Sequence, residues 1–127
     1  MPAPASFDYA VLRVVPRVER EEFINAAVVV LCLEKRYLDC RVTLNPDRLR
    51  ALWPDADLDL IRQHLDALPR ICQGDPSAGP IARLSQRERF HWLTSPRSTI
   101  LQPGPVHTGV CDQTGDLLDR LAQQFLS

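Results

Sequence analysis

The first third of the chain alternates between long apolar runs and short charged connections. Residues 7–15 and 24–33 are rich in β-branched and aromatic side chains, and both runs are apolar on both faces. Runs of this kind are typical of strands inside a sheet, so we predict two central strands. The charged residues 17–23 between them suit a short helical turn.

The next segment has the alternation of a strand with one buried face. In residues 37–44 every second side chain is apolar, beginning at Leu38. Only residues 34–36 separate this segment from the strand before it. A connection this short predicts an antiparallel hairpin.

Helix-start signals follow the hairpin. Asn45 precedes Pro46 and an acid, which predicts an N-cap and a short helix ending before Pro54. Residues 55–72 carry one apolar stripe at steps of three and four, which predicts a longer helix. The acids at 55, 57 and 59 indicate its start, because alternate residues on a helix do not face one another and cannot share a metal ion.

The second half of the chain predicts two more helices and one more strand. Ser85 and Glu88 match the capping-box pattern at the start of a short helix. Residues 99–102 suit a short strand, and a closing helix begins at about Asp112 or Thr114. Residues 73–80, rich in Gly and Pro, predict a loop.

The order of these elements predicts the α+β class, with an antiparallel sheet of three to four strands and helices packed on one face. The 127 residues suit a single domain, 1–127, in which residues 1–6 are expected to be flexible.

Charge and cysteine usage narrow the classes of function. The formal net charge of −1 argues against bulk electrostatic attraction to nucleic acid or to an acidic membrane. No basic leader opens the chain, and the longest apolar stretch, residues 26–33, is too short to span a bilayer. The four cysteines are widely spaced and are expected to be reduced thiols in the cytoplasm. We therefore expect no membrane association, no structural metal and no cofactor.

Arginine supplies nearly all of the positive charge, with 14 arginines and the single Lys35. A GC-rich bacterial genome is the simplest explanation for the composition as a whole. Residues 83–97 are a local exception, because this segment contains four arginines and only one acid, with aromatic residues between them. Arg87, Arg89, Arg97 and Ser98 are the candidate anion-binding residues, because guanidinium groups beside aromatic rings bind phosphates and bases. The alternative is that these arginines solvate a helix face or pair with acids.

A second polar group lies in the first two predicted strands. Arg13 interrupts one apolar strand and Asn25 opens the other. A buried arginine needs a partner, and Glu21 or Glu22 in the connection is the natural candidate for a structural ion pair. His107 follows a Pro-Gly-Pro turn, where a histidine can act as a general base or simply be exposed. Whether the two polar groups form one pocket stays open at this point.

No phosphate-binding glycine loop, nucleophile elbow or zinc-protease motif occurs, which lowers the expectation for the enzyme classes that depend on them. Several segments instead resemble the bacterial domain of unknown function 3037 family: residues 9–16 (YAVLRVVP), 22–25 (EFIN), 87–94 (RERFHWLT), 96–98 (PRS) and 102–109 (QPGPVHTG). The resemblance covers roughly residues 9–126. It implies no catalytic residue, but it implies a gene context beside a kinase-fold protein resembling the toxin of toxin–antitoxin modules.

Three hypotheses of function follow. The leading one is a binding or accessory module that engages a kinase-fold partner and reads an anionic group through its arginines. The alternative is an enzyme acting on a phosphorylated or nucleotide substrate, with Glu22 or His107 as acid or base. The third is a homodimer in which a second copy covers the apolar sheet.

Overall fold

The chain folds into one antiparallel sheet with helices on both of its faces, as seen in a computed structural model that describes residues 4–97 and 99–126 except for the side chain of Val18. The strands and helices are β1 (Ala5–Val14), β2 (Ile24–Cys32), β3 (Tyr37–Val42), α1 (Pro46–Leu52), α2 (Leu58–Cys72), α3 (Gln86–Thr94), β4 (Leu101–Pro103), β5 (His107–Cys111) and α4 (Leu117–Leu126). Short 3-10 turns lie at Val18–Arg20, Pro76–Ala78 and Pro80–Arg83.

β1 is the central strand of the sheet. β2 pairs along one edge of β1, and β4 and β5 pair with the other edge, one after the other. β3 pairs with β2 as the predicted antiparallel hairpin. The α+β class and the antiparallel sheet are therefore confirmed, but the sheet has five strands instead of three to four. The missed strand is β5, which is short, mostly exposed and interrupted by Gly109, so its sequence lacks the apolar alternation of a half-buried strand.

Two hydrophobic cores lie on opposite faces of the sheet. One face packs against α1, α2 and α3 through a core that includes Leu12, Val29 and Leu65. The other face packs against α4 through a core that includes Val28 and Leu118. α4 departs from the expectation that all helices pack on one face, because β1 and β2 are apolar on both faces and the second face also needs cover. α4 thus covers the apolar face of the sheet that, in the homodimer hypothesis, a second copy of the chain was expected to cover.

The starts of α1 and α3 match the sequence prediction, whereas α2 begins at Leu58 and α4 at Leu117, a few residues later than predicted. Asn45 Oδ1 accepts hydrogen bonds from the backbone N–H groups of Asp47 and Arg48 at the start of α1. Asp57 caps α2. Ser85 and Glu88 form a complete capping box at the start of α3.

β1 begins closer to the N-terminus than the sequence predicts. Ala5 and Ser6, both assigned above to a flexible segment, pair with Cys111 and Val110 of β5. This pairing orders them as strand residues.

All four cysteines are free and buried. Within the described residues, no helix combines the length and the apolar character needed to span a membrane.

Candidate functional site

A β-bulge places two polar residues of neighbouring strands, Arg13 and Asn25, side by side on one face of the sheet. Leu12 pairs with Ala27, but the next residue, Arg13, pairs with Asn25, so Ala26 is an extra residue in β2. Without the bulge, side chains would alternate regularly along β2. Asn25 would then lie on the same face as Ala27, which is the face opposite to Arg13. The extra residue places Asn25 beside Arg13, on the face that α4 covers.

These residues line a pocket of about 250 Å³ at the end of α4. We call it the Arg13 pocket; its lining is Val11, Arg13, Phe23, Asn25, Gly104, Pro105, His107 and Phe125. α4 ends at this point, and Asn25 Nδ2 donates a hydrogen bond to the carbonyl oxygen of Phe125, 3.2 Å away. The pocket thus combines apolar and aromatic walls with an arginine, an amide and a histidine.

The Arg13 guanidinium has no anionic partner among the described residues. Its Cζ lies 4.1 Å from the centroid of the Phe23 ring, a cation–π contact. Its Nε is hidden from solvent and donates to no acceptor of the described chain. No described carboxylate lies within 4.0 Å of it, so the predicted ion pair with Glu22 does not form. A hidden donor without an acceptor is rare in folded proteins and calls for an explanation.

Gly104 provides the room for this guanidinium. The Gly104 N–H donates to the carbonyl oxygen of Val11 at 2.7 Å, which holds the turn between β4 and β5 against β1. A Cβ atom on Gly104 would lie 2.9 Å from Arg13 Nη2 and 3.3 Å from Val11 O. A larger residue at this position would therefore displace the arginine from its place in the pocket.

His107 and Glu22, the two candidate acid–base residues, lie apart. His107 is exposed at the start of β5, and its ring centroid lies 5.4 Å from that of Tyr9. Across the described chain, no hydrogen bond to a side chain or backbone group fixes its imidazole. Glu22 Oε1 is instead 2.5 Å from Arg20 Nε, and Glu22 does not line the pocket.

The side chain of Arg89 makes contacts that stabilise the fold, and it is not part of an exposed anion-binding surface. Its side chain is buried, with 9% of the residue exposed. It donates to the backbone carbonyl oxygens of Ile71 at 2.8 Å, Cys72 at 2.7 Å and Leu84 at 3.0 Å. Two of these carbonyls end α2, where a helix leaves its acceptors unpaired and favours a positive charge.

Arg97 lies against Trp92 after the end of α3. Its Cζ is 4.7 Å from the Trp92 ring centroid, and its Nη2 and Nε donate to the carbonyl oxygens of Trp92 and Ser95. Burial lowers the pKa of Arg97. Ser98, the fourth candidate for anion binding, lies outside the described residues.

Arg87 borders a shallow groove on the outer side of α3, with a volume of about 470 Å³. We call it the α3 groove; its lining is Leu84, Arg87, Glu88, His91, Trp92 and Ser95. Leu84 and Trp92 are each 37% exposed, and Arg87 makes no ion pair with a described carboxylate. Glu88, the one acid of the lining, accepts hydrogen bonds from the backbone N–H and the hydroxyl of Ser85.

The two polar groups of the sequence analysis therefore occupy two places. Arg13, Asn25 and His107 line the Arg13 pocket, whereas Arg87 lies on α3 and Arg97 just after its end, and α3 covers the other face of the sheet. Sequence reasoning did not single out Phe23, Gly104, Phe125 or Leu84 as site residues. A phenylalanine at the end of the charged connection and the Pro-Gly-Pro turn were signals for the first two.

Among the residues that the structure describes, no group of three His, Cys, Asp or Glu side chains is arranged to hold a metal ion.

In comparison with known proteins, the family model for a protein of unknown function (DUF3037) matches residues 9–126. No curated protein and no solved structure matches the chain.

Proposed function

The chain belongs to the DUF3037 family, and we propose that it is a binding or accessory module that engages a partner protein through the α3 groove. The observation that carries this proposal is the exposed pair Leu84 and Trp92 beside the unpaired Arg87. Tryptophan and arginine are the residues most enriched among those that dominate binding energy at protein interfaces.

The charges along α3 indicate the chemistry of the partner. Arg87 and Arg97 stand beside Trp92, and the carboxylate of Glu88 is engaged by Ser85. A partner segment with acidic residues around an apolar anchor would complement this surface. The kinase-fold protein that the family resemblance implies is our proposed partner.

Co-expression with a kinase-fold protein of the kind that the family resemblance implies in the gene neighbourhood, followed by co-purification, tests the partner. We expect one complex that survives size-exclusion chromatography. Two proteins that elute independently as monomers would contradict the proposed partner.

Calorimetric titration of the purified pair tests the groove itself. Trp92→Ala and Arg87→Glu should each weaken binding at least tenfold, about 1.4 kcal/mol, because each removes an anchor of the interface. Arg62→Glu is the matched control, since Arg62 is exposed on α2 outside the groove. Binding that is unchanged in both groove variants would place the interface elsewhere.

The enzyme alternative has less support from the geometry. His107 shares the Arg13 pocket with a guanidinium that could stabilise negative charge. However, Glu22 is paired with Arg20, and within the described chain no group holds the imidazole in a defined orientation. Arg13 and His107 therefore support a binding pocket better than an acid–base pair.

A further inference from the structure

We propose that the Arg13 pocket binds a carboxylate group carried on a small apolar ligand. This site lies on the α4 side of the sheet and is separate from the α3 groove, so the inference does not rest on the proposed partner.

The charge of Arg13 is the first reason. An arginine side chain stays protonated in proteins, and this one has a hidden Nε donor without an acceptor in the described chain. Its cation–π contact with Phe23 holds the guanidinium in place but supplies no hydrogen-bond acceptor. An anion bound in the pocket would compensate the charge of the guanidinium that lines it.

The walls are the second reason. Val11, Phe23, Pro105 and Phe125 give the pocket an apolar lining around its polar groups. Apolar walls with a few converging polar groups are the usual composition of small-ligand sites. At about 250 Å³ the pocket lies below the usual range for drug-sized ligands, so it suits a single ring or the end of a chain.

The charge balance favours a carboxylate over a phosphate. The lining contains one guanidinium, and His107 is its only other titratable group. The C-terminal end of α4 at Phe125 also borders the pocket and adds partial negative charge. A singly charged carboxylate is balanced by the one guanidinium, whereas a doubly charged phosphate would also need a protonated His107.

An NMR titration of the full chain, followed through backbone amide shifts, tests the ligand chemistry. We expect N-acetylphenylalanine to shift the amides of Phe23, Gly104 and His107, and to bind at least tenfold more tightly than N-acetylphenylalanine amide, in which an uncharged carboxamide of similar size replaces the carboxylate. Equal binding of the acid and the amide, tighter binding of phenyl phosphate, or no shift at millimolar concentration would each overturn the proposal.

Two carboxylates distinguish the source of the ligand. Benzoate represents a free small acid, and N-acetylphenylalanine represents the C-terminus of a polypeptide. Tighter binding of one or the other supports the proposal and assigns the source.

Two variants tie the binding to the pocket. Arg13→Met keeps an extended side chain but removes the charge, so it should abolish binding of the carboxylate. Gly104→Ala keeps the charge but places a Cβ within 2.9 Å of Arg13 Nη2, so it should weaken binding at least tenfold. Arg17→Met is the control, because Arg17 is exposed and pairs with Glu19.

The dispersion of the amide spectrum shows whether each variant is folded. If Arg13→Met does not fold, Gly104→Ala decides by itself. Carboxylate binding that is unchanged in folded Gly104→Ala would overturn the assignment to this pocket.

Discussion

Arginines of this chain that look alike in the sequence differ in what their guanidinium groups contact. Arg89 is buried against the last carbonyls of α2, and Arg97 stacks on Trp92. Arg87 is exposed, and Arg13 stacks on Phe23 without an anionic partner among the described residues. The guanidinium groups of Arg87 and Arg13 make no hydrogen bond or ion pair with a described residue, which is why the two proposals rest on them.

Replacing Arg89 by Met should destabilise the fold by roughly 2–4 kcal/mol, because three carbonyl oxygens, two of them in buried and one in a part-buried hydrogen bond, lose a charged donor. Urea denaturation measures this change. Arg87→Met is the matched control and should change the stability by no more than about 0.5 kcal/mol, since Arg87 is exposed on the same helix. Equal losses in the two variants would show that the contacts of Arg89 do not stabilise α2.

At the scale of single elements, the helices begin at side chains that satisfy their free backbone N–H groups. α1 has seven residues, one of which, Leu49, is fully buried. The Asn45 cap, with two hydrogen bonds of 3.1 Å, satisfies two free backbone N–H groups and so helps to define where this helix begins.

Asn45→Ala should lower the free energy of unfolding by about 1 kcal/mol, because two backbone donors lose their acceptor. Thermal and urea denaturation check this value. Asn45→Asp keeps an acceptor in the same place and should stay within a few tenths of a kcal/mol of the wild type. If the Asp variant is destabilised as much as the Ala variant, the cap is not the cause.

At the scale of the whole molecule, β1 and β2 contribute to both hydrophobic cores. Val29 faces the helices α1 to α3, and its neighbour Val28 faces α4. Because the same strands form the base of both cores, the loss of α4 packing should weaken the entire domain.

Leu121→Ala in α4 should destabilise the protein by roughly 2–4 kcal/mol, since Leu121 is only 7% exposed. The transition should shift equally in far-UV circular dichroism and in tryptophan fluorescence, although Trp53 and Trp92 both belong to the helices of the other face. Leu60→Ala is the control, because Leu60 is 44% exposed on α2 and should cost little. A fluorescence transition that stays in place while the dichroism shifts would mean that α4 unfolds on its own.

The sequence by itself determined the local elements of this protein. Continuous apolar runs predicted β1 and β2, alternation predicted the hairpin strand β3, and the residues Asn45 and Ser85 marked the starts of two helices. These features depend on interactions between residues close together in the chain, which a pattern can reveal. The short strand β5 was missed because its ordering comes from pairing with β1.

The tertiary structure alone decided which polar residues meet. The bulge at Ala26 turns Asn25 toward Arg13, and the end of α4 closes their pocket with Phe125. The same holds for Arg89, whose partners at Ile71 and Cys72 lie on another helix. One inserted residue in a strand reverses the face of every later side chain, and no local pattern shows where that insertion falls.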